Sequence, residues 1–231
     1  MKHIAIITSH TNTINWHDYG KCDYCDLCSI NHHEYANKHG YSYIKKIVYH
    51  EDYENWHPTW IKIDVLKTYL PLFEYVVWID SDAIFVNQEL SIEDLIQENV
   101  DLIIPKLEID KTTGNVWTNT TTGFMVWKNT DWSKNILDIL WNEPNQFRFN
   151  FFHEQSRLDE LLQKNYESEE GKNILEKSVF DLESPIILEN VKILPYSYHR
   201  CWNDGEINYV YHAGGDTPTK FSRLQEILNT K

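Results

Sequence analysis

The run Tyr75-Val76-Val77-Trp78-Ile79 passes directly into Asp80-Ser81-Asp82 and then into Ala83-Ile84-Phe85-Val86. Val, Ile, Tyr and Trp favour a strand, and an apolar run without alternation predicts a strand covered on both faces, as in a parallel sheet. Such sheets bind ligands beyond the carboxyl ends of their strands, which is where Asp80 and Asp82 fall. Asp-Ser-Asp also has the chemistry of an Asx turn that would simply close the strand. Two hard oxygen donors with no Lys or Arg beside them in sequence suit a divalent cation that bridges to phosphate.

The rest of the chain alternates strands and helices. Strands are predicted at Ile4–Thr8, Tyr41–Tyr49, Ala83–Val86, Leu102–Pro105, Gly123–Trp127 and Val191–Pro195. Helices are predicted at Cys25–Lys38 (stopped by Gly40), Thr59–Tyr69, Ile92–Glu98, Ser133–Trp141, Gln155–Lys164 and Ser222–Leu228. Ser91 would introduce the third of these, with Glu93 and Asp94 in its first turn. Alternation of this kind predicts an α/β architecture with a mostly parallel central sheet flanked by helices. One domain is expected over 1–231, with a nucleotide-binding half at about 1–110 and an acceptor-binding half at about 111–231.

A formal net charge of −14 and a sequence pI near 5.1 exclude a basic face for nucleic acid or anionic membrane. With no apolar run long enough to span a bilayer and an N-terminus too short in apolar residues for a signal peptide, a cytoplasmic protein is expected. Cys22, Cys25 and Cys28 stand at i, i+3 and i+6, the spacing of one helix face. They are expected to be reduced thiols rather than a zinc site completed by His32, His33 or Cys201.

No Gly-x-Gly-x-x-Gly, P-loop or Gly-x-Ser-x-Gly element is present. The polar residues that surround Asp80 and Asp82 come instead as an ordered set. Trp60-Ile61-Lys62 precedes the strand; Thr121-Thr122-Gly123-Phe124 and Asn129-Thr130-Asp131-Trp132-Ser133 follow it; Glu154-Gln155 and His212-Ala213-Gly214-Gly215 come last. In this order the set resembles the GT-A glycosyltransferases, most closely the GMA12/MNN10-like family of galactosyl-, mannosyl- and xylosyltransferases, over roughly residues 2 to 215.

The resemblance implies a GT-A nucleotide-sugar transferase fold and transfer of a hexose or pentose, with retention, from a UDP-linked sugar to a glycan or glycoconjugate. It implies Mn²⁺, with Mg²⁺ as the alternative, held by Asp80, Asp82 and His212. Thr8 and Ser9 would lie beside base and ribose; Lys62, Ser81, Gly123 and Gly215 would meet the nucleotide sugar. Glu154 and Gln155 would reach the transferred sugar, Glu154 either as a nucleophile or as an acceptor for a sugar hydroxyl. The family's closing Lys-Pro pair is not matched, because here Lys220 follows Gly215-Asp216-Thr217-Pro218-Thr219. The absence of an anchor in the chain points to a viral, bacterial or otherwise cytosolic setting. Trp56, Trp60, Trp117 and Trp202 are candidates for packing on acceptor sugars. The competing readings are a glycogenin-like or lipopolysaccharide-type transferase, and a glycan- or nucleotide-binding protein that has kept the fold without turnover.

Overall fold

The computed structural model describes residues 2–11, 23–53, 55–106, 120–148, 153–165, 185–200, 207–214 and 217–229. Gly215, Cys22, Cys201, Trp117, Trp202 and the charge-rich stretch 167–177 lie outside them.

β1 (Ile4–Thr11), α1 (Asp23–His39) and β2 (Ser42–Val48) form the opening β-α-β unit, and α1 ends at Gly40 with a left-handed φ of 73°. A single 3₁₀ turn, Pro58–Trp60, leads into α2 (Ile61–Tyr69), which is followed by β3 (Tyr75–Ile79) and β4 (Ala83–Phe85). Then come β5 (Leu102–Pro105), β6 (Phe124–Lys128), α3 (Asp131–Asn142) and α4 (His153–Asn165). β7 (Ile186–Ile187), β8 (Val191–Leu194), β9 (His199–Arg200), β10 (Val210–His212) and α5 (Thr217–Asn229) complete the described elements.

Seven strands pair in the order β2-β1-β3-β6-β5-β8-β7. β2, β1, β3, β5 and β8 run one way, and β6 and β7 run against them. The mostly parallel α/β sheet expected from the sequence is therefore present. A second sheet of three strands, β4-β10-β9, was not foreseen, because β9 and β10 are too short to show a pattern.

All of β3 is buried, and its side chains alternate between two cores. Val76 and Trp78 join Trp60, Leu66, Trp127 and Leu137 on the side of α2 and α3. Tyr75, Val77 and Ile79 join Tyr35, Phe85, Phe124 and Tyr209 on the side of α1. The unbroken apolar run is thus explained by cover on both faces.

The helix expected at Ile92–Glu98 is absent; the segment forms turns. Its start signal is real, since Asp94 Oδ2 accepts from the Ser91 amide at 2.9 Å and Ser91 Oγ accepts from the Asp94 amide at 3.2 Å. Tertiary partners take the backbone groups that a helix would use. The Ile92 amide donates to Tyr41 Oη at 3.0 Å, and Lys192 Nζ donates to the Leu95 carbonyl at 2.9 Å.

Candidate functional site

The site forms where β3 stops. The Asp80 amide donates to the Gly123 carbonyl at 2.9 Å, and the Ala83 amide donates back to the Asp80 carbonyl at 3.1 Å. A tight turn through Ser81 and Asp82 thus redirects the chain into β4. β4 pairs antiparallel with β10 so that Ala83 faces His212, and the Ala213 amide donates to the Asp82 carbonyl at 2.8 Å. This register brings His212 Nε2 to 2.9 Å from Asp82 Oδ1 and 3.9 Å from Asp80 Oδ2. Ligand atoms of Asp80, Asp82 and His212 all lie within 4.8 Å of one another.

Trp78 and Asp80 share the face of β3 that looks toward α2. The indole N–H of Trp78 donates to Asp80 Oδ1 at 2.6 Å. Lys62, from α2, sits 3.1 Å from Asp80 Oδ1, 3.0 Å from Glu154 Oε1 and 3.2 Å from Thr122 Oγ1. Lys62 is buried and borders the cavity, its ammonium held by protein acceptors. Burial disfavours its charge, but Asp80 and Glu154 outweigh burial and hold the ammonium well above its usual range. Burial likewise opposes ionisation of Glu154, and the Lys62 charge, helped by the Thr59 hydroxyl, brings its carboxyl below the ordinary range.

Lys220 Nζ, from α5, lies 2.5 Å from Asp82 Oδ2. Burial works against the Asp82 carboxylate; His212 and then Lys220 overcome it and depress its pKa strongly. The expectation that no cationic side chain neutralises the two aspartates is therefore wrong in three dimensions, since each has a lysine. Three carboxylates, two ammoniums and one imidazole meet in this cluster. Two carboxylates and one imidazole, converging within 4.8 Å, fit a hard to borderline divalent cation such as Mn²⁺.

An open cavity of about 290 Å³ adjoins the cluster, bordered by Ser9, Thr59, Lys62, Trp78, Asp82 and Lys220. Ser81 is also on its wall, as are Tyr24 and Cys25 of α1. Ser9 is on the cavity wall, whereas Thr8, one residue earlier on the strand, is fully buried on the opposite face. Glu154 and Gln155 are buried behind Lys62 and Thr122; Glu154 Oε1 accepts from Thr122 Oγ1, and Gln155 Oε1 from the Thr122 amide, both at 3.0 Å. His153 has a left-handed φ of 40° and stacks on His57 at 3.7 Å, packing the start of α4 against the Pro58–Thr59 wall.

Trp60 is fully buried and therefore presents no face to a sugar. Trp56 stacks on Trp141 at 4.3 Å and carries the Arg148 guanidinium 4.2 Å from its ring centre, so its ring is engaged as well. Cys25 and Cys28 lie on the buried side of α1, and burial pushes the Cys28 thiol up. His32 Nε2 is 2.7 Å from the Ala83 carbonyl rather than turned to those sulfurs.

A mostly parallel sheet with an Asp-Ser-Asp turn beyond β3 is an α/β fold of the kind found in solved glycosyltransferases. Residues 2–111 match the model of the galactosyl transferase GMA12/MNN10 family, and that stretch, which contains Lys62, Asp80 and Asp82, is that of a glycosyltransferase. The chain is also similar to a glycosyltransferase involved in the glycosylation of the major capsid of PBCV-1. The two share 14% identity, with a TM-score of 0.59, over 96% of this chain and 99% of that one. A second similar structure is the glycosyltransferase GlyE in Streptococcus pneumoniae TIGR4, at 14% identity and a TM-score of 0.41, covering 100% of this chain and 63% of that one. No curated protein matches the chain. Among the described residues no helix is long and apolar enough to cross a membrane.

Proposed function

We propose that the protein transfers a hexose or pentose from a UDP-linked sugar to a glycan or glycoconjugate acceptor, with retention, using a divalent cation held by Asp80, Asp82 and His212. The observation that carries this reading is the convergence of those three side chains within 4.8 Å beside an open cavity. Mn²⁺ is the cation the donor set suits best, with Mg²⁺ as the alternative. When bound, it supplies Lewis-acid stabilisation of the departing diphosphate.

The chain's own residues do the rest. Ser9 borders the end of the cavity at β1, where base and ribose fit. Lys220, which would leave Asp82 were a divalent cation held there, borders the cavity and would face the diphosphate. Lys62 is fixed by Asp80, Glu154 and Thr122 and presents a positioned charge at the cavity floor. Glu154 acts through Lys62, because a nucleophilic role would require Lys62 to move aside. The buried position of Glu154 supports a front-face reaction over a double displacement through that carboxylate. Gln155 braces the Thr122 backbone, and with it Gly123 beneath the two aspartates. A glycan acceptor, rather than nucleic acid, fits the acidic chain. A cytoplasmic, viral or bacterial setting is the reading that goes with it.

Release of nucleoside diphosphate from a panel of UDP- and GDP-sugars, with and without Mn²⁺, tests the proposal. Turnover or slow hydrolysis of one donor is expected, abolished by EDTA and by Asp82→Ala. Tight nucleotide binding with no turnover of any donor, acceptors included, would sink the enzymatic reading in favour of a binding protein.

A further inference from the structure

Beside the proposed ligand His212 stands a second imidazole with no task in that reading. His199 lies on β9, which pairs in parallel with β10, and its ring meets the His212 ring edge-on with centroids 5.2 Å apart. It is 1% exposed, and neither of its ring nitrogens has a hydrogen-bond partner among the described residues. Leaving a buried donor or acceptor unsatisfied is costly, so an imidazole in this state is expected to repay the cost through a neighbour.

Gly123 shows which neighbour that is. A Cβ on Gly123 would stand 2.7 Å from His212 Nδ1 and 2.9 Å from His199 Nε2, closer than side-chain carbons approach nitrogen. Two imidazole nitrogens from different strands therefore converge on the one gap that glycine leaves open. Gly123 has little freedom to retreat, because its carbonyl accepts the Asp80 amide at 2.9 Å. The same residue thus sets the position of one proposed ligand and the room available to another.

We propose that His199 is a positioning residue for His212, and that Gly123 makes the space in which the two rings pair. His199 Nε2 accepts a hydrogen bond from the Nδ1–H of His212, both nitrogens facing the gap at Gly123. An imidazole can offer a lone pair at Nε2 only when its proton is on Nδ1, so the partner of Nδ1 decides the tautomer and the aim of the ring. Partners of this kind commonly alter metal affinity 10–100-fold without touching the ion. The inference rests on the reading of His212 as a metal ligand.

The test is titration of the full chain with Mn²⁺ alone, followed by the electron paramagnetic resonance signal of the free ion. Against wild type, His199→Phe and Gly123→Ala should each weaken Mn²⁺ binding by roughly 10–100-fold. His199→Gln, whose amide oxygen reaches about as far as Nε2, should bind within about threefold of wild type. Mn²⁺ binding by His199→Phe equal to wild type would overturn the inference and leave the ligand reading standing. Failure of wild type to bind Mn²⁺ at all would overturn both. If His199→Phe does not fold, Gly123→Ala makes the same test from the opposite wall of the gap.

Discussion

Lys62 shows how one side chain carries both stability and the site. Its ammonium is enclosed by Asp80, Glu154 and Thr122, with Lys62 and Glu154 both buried. Breaking a buried pair from one side strands the other charge, at a cost of about 3–5 kcal/mol. Lys62→Met should therefore lower the free energy of unfolding in urea by about that amount. The double variant Lys62→Met/Glu154→Met should recover most of the stability, since an apolar pair of similar volume is near neutral, but it should recover no transferase activity. Recovery of activity along with stability would show that Lys62 serves folding alone. The importance of Lys62 is legible in the sequence because it follows Trp60 in a motif, but its partners are not. Glu154 is far along the chain, and Lys220 is 138 residues from Asp82, so no local pattern announces either pair.

At the scale of elements, one family motif turns out to have a plain physical job. In Asn129-Thr130-Asp131-Trp132-Ser133, Thr130 is the N-cap of α3, and its side chain accepts from the Ser133 amide at 3.2 Å. Asn129 donates through its amide group to the Phe73 carbonyl at 3.0 Å, which ties the start of α3 to the approach to β3. Thr130→Ala should cost about 1 kcal/mol in urea unfolding, the usual value for a lost cap, and should leave nucleotide binding unchanged. An equal start signal at Ser91 and Asp94 produced no helix, because Tyr41 and Lys192 take the backbone groups of the next turn. Caps can be read from sequence; competition from distant partners cannot. The same limit hid β9 and β10, whose few residues show no period, and with them the register that delivers His212 to Asp82.

For the whole molecule, the buried titratable groups predict sensitivity to acid. His10 and His32 are buried, and burial lowers their pKa from 6.5 to about 4 and about 3 respectively. An unfolded chain takes up protons on these residues below pH 6.5, while the folded chain does not until far lower. Their contribution is thus fully present above pH 6.5 and is lost as pH falls toward 4 and 3. Each adds a slope of about 1.4 kcal/mol per pH unit inside its window. Glu154 and Asp82, whose carboxyls are depressed, act in the same direction at lower pH. The urea midpoint should fall steadily from pH 7 to pH 5, and His10→Leu should flatten that slope; an unchanged slope would mean that His10 titrates normally in the fold. Alternation of strands and helices made the central sheet readable in advance. The acidic balance of −14 carries no information on the local lysines that pair with the two aspartates.

The central claim is that Asp80, Asp82 and His212 jointly hold the cation against a nucleoside diphosphate. It is tested most directly by the anomalous scattering of crystals grown with Mn²⁺ and UDP, measured at the manganese edge. The expected result is one peak bounded by those three side chains, with UDP phosphate on its open side and Lys220 moved off Asp82. UDP bound in the cavity with no manganese peak at the triad, or with the peak elsewhere, would contradict it.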